Sequence, residues 1–109
     1  MLNGICHCAN CKKRTGSAFG WSAYFADDQV RHRSGTVRCY EFGGAKVQQR
    51  WFCAACGTTL YWKVAWRSGE TGIAGGCFVE APLPAPRVTV SNNGRCAWLS
   101  LPADWRTSL

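Results

Sequence analysis

A small all-β domain of short antiparallel strands and hairpins, stapled at two cysteine knuckles, is the fold this sequence predicts. Three observations carry that expectation. Cysteines cluster as Cys6-His7-Cys8-Ala9-Asn10-Cys11 and again as Cys53-Ala54-Ala55-Cys56. Strand-forming runs alternate with turn pairs such as Gly43-Gly44 and Asn93-Gly94, the usual punctuation of hairpins. No stretch sustains the apolar period of a helix. The 109 residues suit one domain with a modest core. It is expected over residues 1–101, with 102–109 as a C-terminal tail.

Residues 5–11 read as a strand end running into a tight turn. Three thiols in CxC and CxxC spacing cannot all pair with one another as disulfides. They can converge on one soft ion, and thiolates are the ligands zinc prefers. With the second CxxC knuckle, two clusters in so small a chain form a zinc pattern. Cys6, Cys8, Cys11, Cys53 and Cys56 are therefore the candidate metal ligands. Where no site exists in the unfolded chain, metal-binding free energy becomes folding free energy.

Lys12-Lys13-Arg14 follows the first cluster directly, the one run of three basic residues in the chain. Such runs are most often solvated faces. Its place beside the sulfurs makes it a candidate contact for an anionic ligand. From 18 to 26, Phe19, Trp21, Ala23 and Phe25 alternate as on a half-buried strand. Asp27-Asp28 turns the chain, and its carboxylates diverge on extended backbone, so no catalysis is assigned to them.

A short basic strand is expected over 30–33, then a hairpin of 36–42 and 45–52 about Gly43-Gly44. The second knuckle reads as the tip between that hairpin and a strand over 58–64. Residues 66–71 read as a loop and 72–79 as a Gly-rich strand containing Cys77. Pro82, Pro84 and Pro86 enforce an extended link. Strands over 87–91 and 96–101 flank Asn93-Gly94. His7, between two ligand cysteines, should point away from their face, and reads as a residue behind the ligands or at the surface rather than a ligand. His32 reads as structural or solvated, and Cys39, Cys77 and Cys96 as free thiols. Trp51, Trp62 and Trp66 read mainly as packing, with a cleft wall as the alternative.

The formal net charge of +7 favours an anionic partner, although thiolates around zinc subtract from it. Nucleic acid, an acidic protein face and a small carboxylate-bearing substrate all qualify. No apolar run approaches a membrane span, and Met1-Leu2-Asn3-Gly4 does not open a signal peptide. Clustered thiols suit a reducing compartment, so a cytoplasmic protein without membrane contact is expected.

Ile5-Cys6-His7-Cys8-Ala9-Asn10-Cys11-Lys12-Lys13, Thr15-Gly16-Ser17 and Phe52-Cys53-Ala54-Ala55-Cys56-Gly57-Thr58-Thr59-Leu60 together resemble one family, from residue 5 to about Leu101. It is the family of glutathione-dependent formaldehyde-activating enzymes, which also includes centromere protein V. The resemblance implies two zinc sites on a β scaffold. The catalytic zinc would sit on Cys6, Cys8 and Cys11. Cys53 and Cys56 would share a structural zinc with an upstream CxC pair that this sequence does not contain. The alternatives are a start that falls late, a lost structural site, or regrouping of Cys8, Cys11, Cys53 and Cys56 around one ion.

Three protein ligands would leave an open position, the mark of catalytic zinc. The implied activity is then that of a carbon–sulfur lyase on an aldehyde adduct of a small thiol of the glutathione type. Lys12, Lys13 or Arg14 would meet a substrate carboxylate. The alternative is a non-catalytic zinc-stapled module that contacts nucleic acid or an acidic protein. Basic residues beyond 12–14 are scattered rather than striped, so nucleic acid is the less expected partner.

Overall fold

The computed structural model describes residues 1–31, 33–44 and 47–109. Among the described residues, eight strands form one sheet: β1 (Leu2–Cys6), β2 (Gly20–Ala26), β3 (Val37–Phe42), β4 (Gln48–Cys53), β5 (Thr59–Val64), β6 (Glu70–Ala74), β7 (Val88–Val90) and β8 (Arg106–Thr107). Their spatial order is β3-β4-β5-β6-β2-β1-β7-β8. Pairing is antiparallel from β3 through β1. It turns parallel where β7 joins β1 and β8 joins β7. The mostly-β expectation therefore holds, with one helix, α1 (Ala9–Thr15), added.

That helix replaces the tight turn expected after the first cysteines. Seven residues are too short to display an apolar period, so its signals lie at its ends. The Cys8 sulfur accepts from the Cys11 amide at 3.3 Å, which satisfies one of the donors a helix start leaves unpaired. Gly16 closes the other end in the left-handed region at φ 65°, where only glycine is unstrained. Lys12, Lys13 and Arg14 fill the last turn, where cations suit the helix dipole.

Other boundaries move as well. Residues 27–29 form a single 3-10 turn, and 30, 31 and 33 lie outside any strand; His32 lies outside the described residues. Phe42 pairs with Gln48, where β4 begins; Ala45 and Lys46, expected to open that strand, lie outside the described residues. Gly75–Cys77 is a 3-10 turn rather than strand. Asn92–Gly94 is another, entered through Ser91 at φ 56°, and no strand follows at 96–101. Residues 102–109, expected as a tail, carry β8.

The buried core is thin. Ile5, Ala23, Trp62 and Val64 are its apolar members, joined by His7, Thr71 and Thr89. Trp62 on β5 stands opposite Gly72 on β6. A Cβ at 72 would lie 2.2 Å from the indole Nε1, so the ring occupies the space a side chain would need. The indole donates to the Tyr24 hydroxyl at 3.0 Å, with the two rings edge to face. Asp27 does not act as half of an acid pair. It accepts from Lys63 at 2.6 Å and from the buried Thr71 hydroxyl at 2.7 Å. Those two bonds hold its carboxyl below the ordinary value and fasten the turn to the sheet.

Candidate metal centre and ligand cavity

Cys6 ends β1, Cys8 caps α1 and Cys11 lies in that helix's first turn. On extended chain Cys6 and Cys8 share a side, and Cys8 and Cys11, three apart, share a helix face. The three sulfurs lie within 4.8 Å of one another. Zinc–sulfur bonds of about 2.3 Å at tetrahedral angles place sulfurs about 3.8 Å apart, so the set fits a thiophilic ion after small side-chain adjustments. All three are half-buried. Cys11 donates its S–H toward Cys6, and Ser91 and neighbouring backbone donors add to this, so the Cys6 thiol falls to about 5. Cys11, the donor, is pushed up by that bond and by burial.

His7 points the opposite way and is completely buried. Its backbone N–H donates to the Val90 carbonyl at 3.1 Å, which fastens the metal loop to β7. Its Nε2 is 2.8 Å from the Thr89 hydroxyl. That hydroxyl spends its proton on Asn92 Oδ1, so His7 must carry its hydrogen on Nε2. Burial pulls the imidazole's pKa down, in keeping with a neutral ring. A Cβ on Gly94 would sit 2.5 Å from the His7 carbonyl oxygen, so the loop rests on bare backbone. Thr89→Val keeps the shape and removes the acceptor, leaving the buried Nε2–H unpaired. It should cost about 1–3 kcal/mol of stability, read from the urea midpoint at unchanged m-value.

The cluster opens into a cavity of about 540 Å³ that Cys6, Cys8 and Cys11 line. Of the expected basic contacts, Arg14 lines it. Lys12 instead donates to the Gly94 carbonyl, and Lys13 is exposed at the surface. Cys53 and Cys56 stand apart at the β4–β5 turn and are not gathered with the first three. The Cys56 sulfur meets the Thr58 hydroxyl at 3.1 Å, and that contact lowers its thiol. Regrouping of Cys8, Cys11, Cys53 and Cys56 is not the arrangement found. Cys77 faces the Thr59 carbonyl rather than the cavity.

Trp62 and Trp66 both wall the cavity, whereas Trp51 stacks on Tyr61. Further lining residues had no local signal: Asn10, Tyr24, Arg50, Arg67 and Ser91. They come from different elements and meet only when the sheet forms. Asn10 alone sits inside a recognised motif, between two ligand cysteines. Among the described residues, no helix is long and apolar enough to cross a membrane.

No curated protein matches the chain. The family model described as glutathione-dependent formaldehyde-activating enzyme matches residues 1–92, a span that includes the three clustered thiols, the second CxxC and every residue lining the cavity. On that match the chain belongs to the glutathione-dependent formaldehyde-activating enzyme family.

Proposed function

We propose that the protein is a zinc-dependent carbon–sulfur lyase-type enzyme acting on the adduct of a small thiol, glutathione in the first instance, with formaldehyde. The observation that carries this reading is the gathering of Cys6, Cys8 and Cys11 at the mouth of a cavity. Those three residues would hold the zinc. Zinc so held supplies Lewis acidity, keeping a thiol ionised or polarising an aldehyde oxygen. Family membership supports glutathione as the thiol.

The chain's own work is to hold the reactants together and limit water. In the synthetic direction the thiolate sulfur forms a bond to the carbonyl carbon. The carbonyl π pair passes to oxygen, which takes a proton from solvent, and a hemithioacetal results. The lyase direction reverses each step. Arg14 sits over the Trp62 ring at 3.8 Å, which holds its guanidinium beside the cluster, where Lys12 and Lys13 do not reach. The CxC and CxxC spacing of the cysteines supports a reducing, cytoplasmic setting. Cys53 and Cys56 are proposed as ligands of a second zinc completed by donors outside their pair.

The test is zinc-loaded protein mixed with formaldehyde and glutathione, with interconversion of adduct and free thiol followed by exchange NMR. The exchange rate should rise in proportion to protein concentration. A rate equal to buffer, with zinc shown on Cys6, Cys8 and Cys11 by the loss of one bound ion in Cys11→Ala, would remove the enzymatic reading.

A further inference from the structure

Three arginines line the cavity beside the thiols: Arg14, Arg50 and Arg67. Only Arg67 has an acidic partner, Glu70 at 2.9 Å. Among the described residues, no carboxylate pairs with Arg14 or Arg50, and none lines this cavity.

Both unpaired guanidinium groups are held in place. Arg14 lies on Trp62. Its buried Nη2, which has no hydrogen-bond partner, is 2.5 Å from where a Gly20 Cβ would stand, and the Cys11 Cβ is 3.1 Å from that same point. The charge is therefore fixed next to a metal ligand. Arg50 lies over Phe42 at 4.7 Å and donates from Nη2 to Asn10 Oδ1, while Asn10 Nδ2 donates to Gln48 Oε1 at 2.9 Å. Burial, and then the nearby charge of Arg14, work against the protonated form of Arg50. Two like charges lining one half-buried cavity disfavour each other unless an anion binds beside them.

We propose that Arg14 and Arg50 form a carboxylate-binding fork on the wall beside the three thiols, which restricts the site to thiols that carry an anionic group. This rests on the thiol-binding reading above and names the residues that would read the anionic group of its thiol. Planar guanidinium groups suit a carboxylate because their donors match its two oxygens. Asn10 orients the Arg50 donors and lies between Cys8 and Cys11 in sequence, so the segment that carries the thiols also positions the fork. Arg50 is the specificity-determining residue of the pair, since Arg14 also sits against the cysteines.

The experiment uses full-length protein loaded with cobalt(II), whose visible bands report thiol binding directly. The probes are 3-mercaptopropionate and 3-mercapto-1-propanol, alike in length and unlike in charge. Wild type should bind the carboxylate at least about tenfold more tightly. In Arg50→Gln that ratio should fall to about two. Arg50→Lys, which keeps the charge without the planar fork, should fall between. A second measurement needs no variant: added chloride should weaken carboxylate binding in wild type and leave the alcohol's affinity nearly constant.

If both thiols bind wild type equally, or Arg50→Gln keeps the full ratio, the fork is refuted and the arginines only offset thiolate charge. If neither probe alters the cobalt spectrum, the thiol-binding reading itself fails, and the fork with it.

Discussion

Replacing Cys11 with alanine is expected to lower zinc affinity at the Cys6-Cys8-Cys11 site by at least about 100-fold, and to leave any zinc on Cys53 and Cys56 in place. A structural zinc site with four ligands is worth about 10–16 kcal/mol at neutral pH, so one ligand of three accounts for about 3 kcal/mol or more. Cys11 has a second task, because it is the residue whose amide the Cys8 sulfur caps. The alanine keeps that amide, so α1 should survive and the loss should be specific to the metal. Competition with a chromophoric chelator gives the affinity, and far-ultraviolet circular dichroism checks the fold. Cys39→Ala, at an exposed position on β3, is the control and should hold zinc as wild type does. Wild-type affinity in Cys11→Ala would mean that the ion is held elsewhere, and the proposed enzymatic centre would have to be abandoned.

The second large effect is expected at Trp62. This side chain is only 4% exposed, donates to Tyr24, fills the space above Gly72 and supports Arg14. Large-to-small substitution of a buried aromatic costs about 3–5 kcal/mol, and a domain of this size commonly has about 5–15 in total. Trp62→Ala should therefore lower Tm by on the order of 15 °C or more and release Arg14 from its fixed position. Gly72→Ala attacks the same contact from the other strand. Its Cβ overlaps the indole, and overpacking of this kind costs about 1–3 kcal/mol. Thermal melts of both variants at fixed zinc concentration provide the check. A shift of less than about 5 °C for Trp62→Ala would show that the sheet does not depend on this ring.

The CxCxxC cluster was legible because its chemistry is local. Sulfurs two and three residues apart have little freedom to separate, and alternation along the extended chain already turned His7 away from them. The burial of His7 on Thr89 was not legible, since that partner lies on β7 far along the chain. Helix α1 escaped a search for period because seven residues hold two turns, and its cap is a cysteine rather than a hydroxyl or carboxamide side chain. The Asn93-Gly94 pair suggested a hairpin by composition. The chain instead enters a 3-10 turn through Ser91, and Asn92 binds the carbonyls of Thr89 and Ser108. That capture helps hold the terminal segment beside β7, where β8 forms.

By itself the sequence determined the β class, the three thiols of the candidate metal centre and the family, because each depends on residues adjacent along the chain. Tertiary structure decided which charges reach the cavity. Arg14 arrives on a helix, Arg50 from β4 and Arg67 from the β5–β6 connection, and only strand pairing sets their spacing. It also separated Cys53 and Cys56 from the first cluster. Ligand spacing within a loop is fixed by covalent geometry, whereas the distance between loops depends on how the sheet is ordered, which short-range pattern does not encode.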